Sequence, residues 1–181
     1  MQMKLNKIPL TNAALKAESM KTTKSIENME KIIDQTIFGE FEWRIDSWSE
    51  KSTKARNGKD KELFSDSFLS HPNGYKICLT MRHDGYYLDI GFCILSGPFD
   101  SVLKWPFDRD AEFSLINQKT GLAHKTLKFE CSKNSTHVAL QKPKDESKNK
   151  SISNYPLISP QEISEVCRND QIIIKFRSKP I

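Results

Sequence analysis

Two periodicities divide the chain. From Leu15 a four-three spacing runs through Ser19, Thr22, Ile26, Met29, Ile33 and Thr36, with Lys, Glu and Asp filling the outer positions. Side chains at that spacing share one stripe of a helix, the a/d seam of a coil about three heptads long. Ser19 and Thr22 degrade its first half; Ile26, Met29 and Ile33 make the second half apolar. Two readings fit. One is an amphipathic helix lying on its own domain. The other is a self-associating coil, which at this length holds only if the following domains also touch. Gly39 is the expected stop, as a glycine at C′.

Beyond Gly39 the period becomes two. Phe41, Trp43 and Ile45 alternate with Glu42, Arg44 and Asp46, which predicts a half-buried strand. Lys51 to Lys61 reads as a charged loop, and Leu63 to Leu69 as a short strand. His71-Pro72-Asn73-Gly74 predicts a turn, with Gly74 at a φ that suits glycine. Tyr75, Ile77, Leu79 and Met81 form one face of the next strand. His83-Asp84-Gly85 reads as a tight hairpin turn. Tyr86 to Leu95 is an apolar run suited to a sandwich centre, broken by Gly97-Pro98. Phe99 to Trp105 fits one helical turn, ended by Pro106.

Further strands are expected at Phe113 and Leu115, at Thr126 to Phe129 after a Thr120-Gly121 turn, and at His137 to Gln141. Lys142 to Asn154 is polar and aperiodic, so it reads as a mobile loop. Pro160 to Val166 suggests a short helix with Ser159 as its cap and Pro160 at its first position. Asn169-Asp170 turns the chain into a last strand, Ile172 to Phe176. About eight short strands with hardly any helix between them predict an antiparallel β-sandwich. The expected organisation is a tail and coil over residues 1–38 and a sandwich over 39–181.

Composition narrows the function. The 181 residues are 37% hydrophobic and 28% charged, enough for one core with a polar excess in loops and termini. No run approaches the roughly 18 apolar residues of a membrane span, and the first twenty residues lack the apolar stretch of a secretory signal. The expectation is a cytoplasmic chain with no direct membrane insertion. The net charge of +5 is scattered among acidic residues, which speaks against nucleic acid as a partner. Cys78, Cys93, Cys131 and Cys167 are far apart with no CxxC pair, which argues against zinc. Cys78 and Cys93 lie in apolar runs and read as small buried hydrophobes.

Catalysis finds little support. Cys131 with His124 or His137 lacks a defensible surrounding pattern, no G-x-S-x-G elbow occurs, and the seven glycines form no phosphate loop. No enzyme, cofactor or metal is expected. Binding remains: an edge strand offers unpaired N–H and C=O groups that an extended peptide completes. Thr80, Arg82 and the Asp84-Gly85 turn stand at one end of a strand with polar groups available to a partner.

Several motifs then fall in order. Trp43-x-Ile45 follows the helical seam. Ser65-x-x-Phe68 precedes Gly74-Tyr75-Lys76-Ile77-Cys78. Gly97-Pro98-Phe99-Asp100 leads to Leu103-Lys104-Trp105-Pro106-Phe107. Gln118, Gln141-Lys142-Pro143 and Asn169-Asp170 come later. From Gly39 to Phe176 the chain resembles the C-terminal domain of the tumour-necrosis-factor-receptor-associated factors, within the wider MATH group.

The resemblance implies an eight-stranded sandwich. It further implies an adaptor, trimerised through Leu15, Ile26, Met29 and Ile33, that captures peptides of receptor tails or signalling proteins. The alternative it carries is a MATH-type recognition module feeding substrates to a ubiquitin ligase. The family's groove, along an edge strand after Gly-Tyr-Lys and beside the segment before Phe-Gln-Arg-Pro, transfers to Thr80, Arg82, Asp84 and Gly85, and to Phe129, His137, Val138, Ala139 and Leu140. Receptor-binding members typically carry Arg and Tyr at Thr80 and Arg82, and often Ser at His137 to Ala139. The resemblance therefore implies the same groove with a different ligand preference.

Overall fold

A computed structural model describes residues 12–36, 40–58, 62–83, 86–134, 136–144, 148–159 and 161–180. The chain divides into two compact units, Met1–Ile37 and Phe38–Ile181. The first holds helix α1, Asn12–Thr36. Leu15, Ile26 and Met29 stand exposed on it; the Ile33 side chain and Gly39 lie outside the described residues. Thr22 and Thr23 donate their hydroxyls to the carbonyls of Glu18 and Ser19, a back-bond that slightly weakens a helix.

In chain order the second unit contains β1 (Glu40–Ile45), α2 (Trp48–Arg56), β2 (Glu62–Phe64), β3 (Phe68–Leu69), β4 (Lys76–His83), β5 (Leu88–Leu95), β6 (Arg109–Ile116), β7 (Ala123–Phe129), β8 (Ile152–Ile158), α3 (Ile163–Val166) and β9 (Ile172–Pro180). One sheet runs β1-β9-β6-β7 and the other β2-β4-β5-β8, with β3 also on β4. All the strand pairs are antiparallel. The expected β-sandwich is present, with nine described strands in place of eight.

Alternation places the core. Trp43 and Ile45 of β1, Ile77, Leu79 and Met81 of β4, and Phe113 and Leu115 of β6 all face between the sheets. The outer face of the first sheet is paired by charge. Lys175 and Lys128 reach Glu42 and Glu112 at 3.9 and 3.5 Å, and Arg177 contacts Glu40. Cross-strand pairs of opposite charge favour this register. Between the sheets the Phe92 ring meets those of Phe107, Phe113, Phe129 and Phe176, with centroids 5.6, 6.2, 5.7 and 6.3 Å away. Phe107 is buried at the end of the Trp105-Pro106-Phe107 segment, and Trp105 donates its indole N–H to the Asp100 carbonyl at 3.0 Å.

Several elements depart from the sequence reading. Residues 51–56, expected in a loop, belong to α2. Its start is held from a distance: Asp170 Oδ1 accepts from Ser49 N at 2.8 Å and Ser49 Oγ at 2.6 Å, and the Asp170 carbonyl accepts from Trp48 N. Asp170 and Asn169, both at positive φ, make the expected turn. Leu63 to Leu69 breaks into β2 and β3. The expected strand at 137–141 is a 3-10 turn, Val138–Leu140. The polar stretch taken for a loop runs into β8 at Ile152. The short helix begins at Ile163, and Ser159 donates its N–H and hydroxyl to Glu162. Asp84, Gly85 and Pro160 lie outside the described residues.

Gly74 does not have the left-handed φ expected of it. Its constraint is space, because a Cβ there would stand 2.8 Å from the His71 backbone nitrogen and against Ser70 Oγ, the atom that accepts from Tyr75 N at 3.0 Å. Gly74→Ala is therefore expected to destabilise the sandwich by about 1–3 kcal/mol, read by urea denaturation. A second expectation concerns pH. The Ser49 hydroxyl and N–H hold the Asp170 carboxyl below its usual range, so its contribution is present above the unfolded pKa and is lost as pH falls through the folded one. Asp170→Asn keeps an acceptor and tolerates positive φ. It is expected to flatten the acid limb of a melting-temperature profile.

Candidate functional site

The margin expected along β4 is closed. β2 pairs with it from Glu62↔Arg82 to Phe64↔Thr80, β3 pairs at Phe68↔Ile77 and Leu69↔Lys76, and β5 occupies the other side. The gap between β2 and β3 is filled by Ser65, whose N–H donates to the Leu79 carbonyl at 3.0 Å and whose Oγ accepts from Leu79 N at 2.9 Å. The chain's own residues 62–69 thus satisfy the backbone of β4, as buried polar groups require.

The sheet ends at β2 and β3 on one side and at β8 on the other. β8 pairs with β5 through Leu88↔Ile158, Asp89↔Pro156, Ile90↔Tyr155 and Phe92↔Ile152, with two register shifts. Among the described residues no strand lies on its other side. Pro156 is exposed there, and proline, lacking an N–H, is confined to edge strands. The edge strand of the opposing sheet runs close by, with Lys125 Nζ 3.5 Å from the Pro156 carbonyl oxygen.

The residues carried over by resemblance fall in different settings. Thr80 is fully buried, and among the described residues its hydroxyl has no partner. Arg82 pairs with Asp89, Nη2 to Oδ2 at 3.3 Å, and keeps its side chain 40% exposed. Phe129 is buried against Phe92. His137 caps the 3-10 turn, its Nδ1 accepting from Ala139 N at 3.2 Å. Ala139 and Leu140 are buried, while Val138 is 69% exposed. Asp84 and Gly85 are outside the described residues. Arg82, opposite Asp89, and the 3-10 turn, near Ile94, stand about 17 Å apart along β5 at the usual rise per residue. They form no single cluster. They stand toward the two ends of the face that β8 borders.

Sequence reasoning missed the residues that build this region. The Asn149 side-chain amide donates to the Ala139 and Gln141 carbonyls at 2.9 and 2.7 Å, and its backbone N–H donates to Ile94 O at 2.9 Å. That one residue fastens the 3-10 turn to β5 and starts the approach to β8. Lys148 pairs with Leu95 and holds its ammonium 4.2 Å from the centroid of the Phe64 ring, a cation–π contact. The available signal was Tyr155-Pro156-Leu157-Ile158, since a proline inside an apolar run marks an edge strand. Among the described residues no group of three His, Cys, Asp or Glu could hold a metal. No described helix is long and apolar enough to cross a membrane.

Residues 60–175 match the family model described as TRAF/meprin, MATH domain. This chain belongs to the MATH family. Its MATH domain is 32% identical over 89 residues to human TNF receptor-associated factor 2, covering 46% of this chain and 18% of that protein. To human TNF receptor-associated factor 5 it is 30% identical over 95 residues, 49% of this chain and 17% of that protein. The matches thus span less than a fifth of each relative's length. A solved structure of Notothenia coriiceps TRAF5 superposes with a TM-score of 0.72 at 21% identity, covering 93% of this chain and 86% of that one. The fold of the MATH domain is therefore the TRAF fold.

Asn149→Ala removes the donor shared by two carbonyls of this MATH domain. The expected loss is about 1–3 kcal/mol in urea denaturation, with faster amide exchange at Ala139, Leu140 and Gln141.

Proposed function

We propose that this chain is a non-enzymatic signalling adaptor of the cytoplasm that adds an extended peptide, from a receptor tail or signalling protein, to the β8 edge. The single observation that carries the reading is the unpaired side of β8 beside Pro156. Main-chain bonds to such an edge give affinity, and flanking side chains give choice. The separation of about 17 Å between the Arg82 and Val138 ends matches five or six extended residues. Val138 offers an apolar contact at one end. Arg82, already facing Asp89, offers a partly neutralised cation at the other, which favours a single carboxylate or amide over an acidic run.

In the same proposal α1 self-associates into a trimer. Leu15, Ile26 and Met29 expose apolar surface on a 25-residue helix, which a parallel seam buries, with Ile33 continuing the repeat in sequence. Three weak sites on a clustered receptor then gain avidity without new contacts.

A peptide-array screen followed by fluorescence anisotropy tests the edge. N-methylation at alternate backbone positions of a captured peptide is expected to weaken binding about tenfold per ladder bond lost, the equivalent of about 1.4 kcal/mol. Arg82→Ala combined with Val138→Asp is expected to abolish capture. Binding indifferent to both changes sinks the reading. Sedimentation equilibrium is expected to give three chains per particle, and one after Ile26→Asp with Met29→Asp.

A further inference from the structure

The outer face of β4 and β5 holds two thiols that neither the fold nor the peptide edge uses. Cys78 and Cys93 stand directly opposite each other across the antiparallel pair. Their sulfurs are 2.9 Å apart, one thiol donating to the other, and both residues are buried, at 5% and 1% exposure. Opposed residues on antiparallel strands have Cα atoms about 4.5–5.5 Å apart, inside the range of about 4.4–6.8 Å that disulfides span. A covalent S–S bond therefore needs the sulfurs to close by about 0.9 Å, a side-chain adjustment within the existing register.

We propose that Cys78 and Cys93 form a modification site: a hydroperoxide oxidises them to a disulfide that staples β4 to β5. The two thiols differ in the way such chemistry requires. The hydrogen bond from Cys93 holds the Cys78 thiol below its usual range, aided by the Lys148 ammonium and opposed by burial. The same contact, with burial, pushes Cys93 up. Cys78 is thus the nucleophile and Cys93 the resolving thiol. Lys148 and Phe64 are exposed and in contact with each other, on the face that carries Cys78 and Cys93. Oxidation requires access past these exposed side chains by a molecule as small as hydrogen peroxide. Cys131 and Cys167 supply the internal control, since burial raises both and neither has a thiol neighbour among the described residues.

The chemistry balances. The Cys78 thiolate attacks one peroxide oxygen, the O–O bond breaks, and the departing alkoxide or hydroxide takes up the proton Cys78 lost. Sulfenic acid remains on Cys78. The Cys93 sulfur attacks that sulfur, the S–S bond forms, and the sulfenic oxygen leaves as water with the Cys93 proton. Two electrons pass from the thiols to the peroxide, which ends as water plus an alcohol or a second water. The site lies two residues from Thr80 and four from Arg82, but it does not rest on peptide capture.

The test uses the full reduced chain, folded, with equimolar hydrogen peroxide, alkylation of remaining thiols and peptide mapping by mass spectrometry. A peptide linking Cys78 to Cys93, short by two hydrogens and restored by dithiothreitol, is expected, with Cys131 and Cys167 alkylated. The pair is expected to react about tenfold faster than either control thiol. In Cys93→Ser the reaction is expected to stop at a dimedone-trapped sulfenic acid on Cys78; in Cys78→Ser, Cys93 stays reduced. Oxidation of Cys131 or Cys167 at an equal rate overturns the proposal. So does the appearance of sulfinic acid on Cys78 in the unmodified sequence without the linked peptide. The unmodified chain decides the question even if a serine variant fails to fold.

Discussion

The ring of Phe92 sits where the two sheets must agree. It belongs to β5, and it meets Phe113 of β6, Phe129 of β7, Phe176 of β9 and Phe107 at the end of the Trp-Pro-Phe segment. Offset and edge-on aromatic contacts at such distances add to burial of a large apolar area. A one-residue slip of β5 would send Phe92 outward and bring Cys93 into the core. The inward face of β5 is therefore fixed by its own packing, and the outward face follows from it. Asp89, Gly91 and Cys93 must then oppose Arg82, Thr80 and Cys78. The ion pair, the buried hydroxyl and the thiol pair are consequences of one register.

The same constraint places β8 at one end of the sheet, with β2 and β3 at the other. With β5 fixed, β4 lies on one side and β8 on the other. β4 is a central strand, and residues 62–69 complete its hydrogen bonding. β8 is attached by a ladder with two register shifts and carries a proline, which lacks one ladder donor. Pro156 and the shifts keep this margin short and irregular. That guards a long exposed edge against unwanted strand pairing while leaving carbonyl and N–H groups for a short segment. The nearby Lys125 adds a cation at the rim, a further common guard on edges.

The legible parts of this fold are those whose environment is decided by their own residues. Phe41, Trp43 and Ile45 announce β1, Tyr75 to Met81 announce β4, and Asn169-Asp170 announce their turn, because alternation and turn chemistry are local. α2 was invisible for the opposite reason: its polar sequence has little apolar stripe, and Asp170, 121 residues away, satisfies its first turn. β8 was hidden because an edge strand buries only part of itself, leaving Ile152, Leu157 and Ile158 too irregular to read as period two. At the site, Arg82 and Val138 were identified from resemblance, but Asn149 and Lys148 act through contacts across the fold that no spacing encodes. The resemblance pointed to β4 as an edge, whereas residues 62–69 and β5 pair with it on both sides.

The composition of the outer face of β4 and β5 says how a ligand would be read. Cys78, Thr80, Gly91 and Cys93 are all small and buried, and the Lys148–Phe64 contact lies on the same face of the sheet. Thr80 is buried with no partner for its hydroxyl among the described residues, which costs about 1–3 kcal/mol against a satisfied group. A face that already leaves one hydroxyl without a bond, and presents little side-chain relief, has few groups to spend on side-chain recognition. The backbone of β8, apart from the donor missing at Pro156, offers N–H and C=O groups that do not depend on side-chain identity. In the proposed mode of binding, affinity at this edge would rest on the main chain, and choice would fall on exposed Val138 and on Arg82 as paired with Asp89.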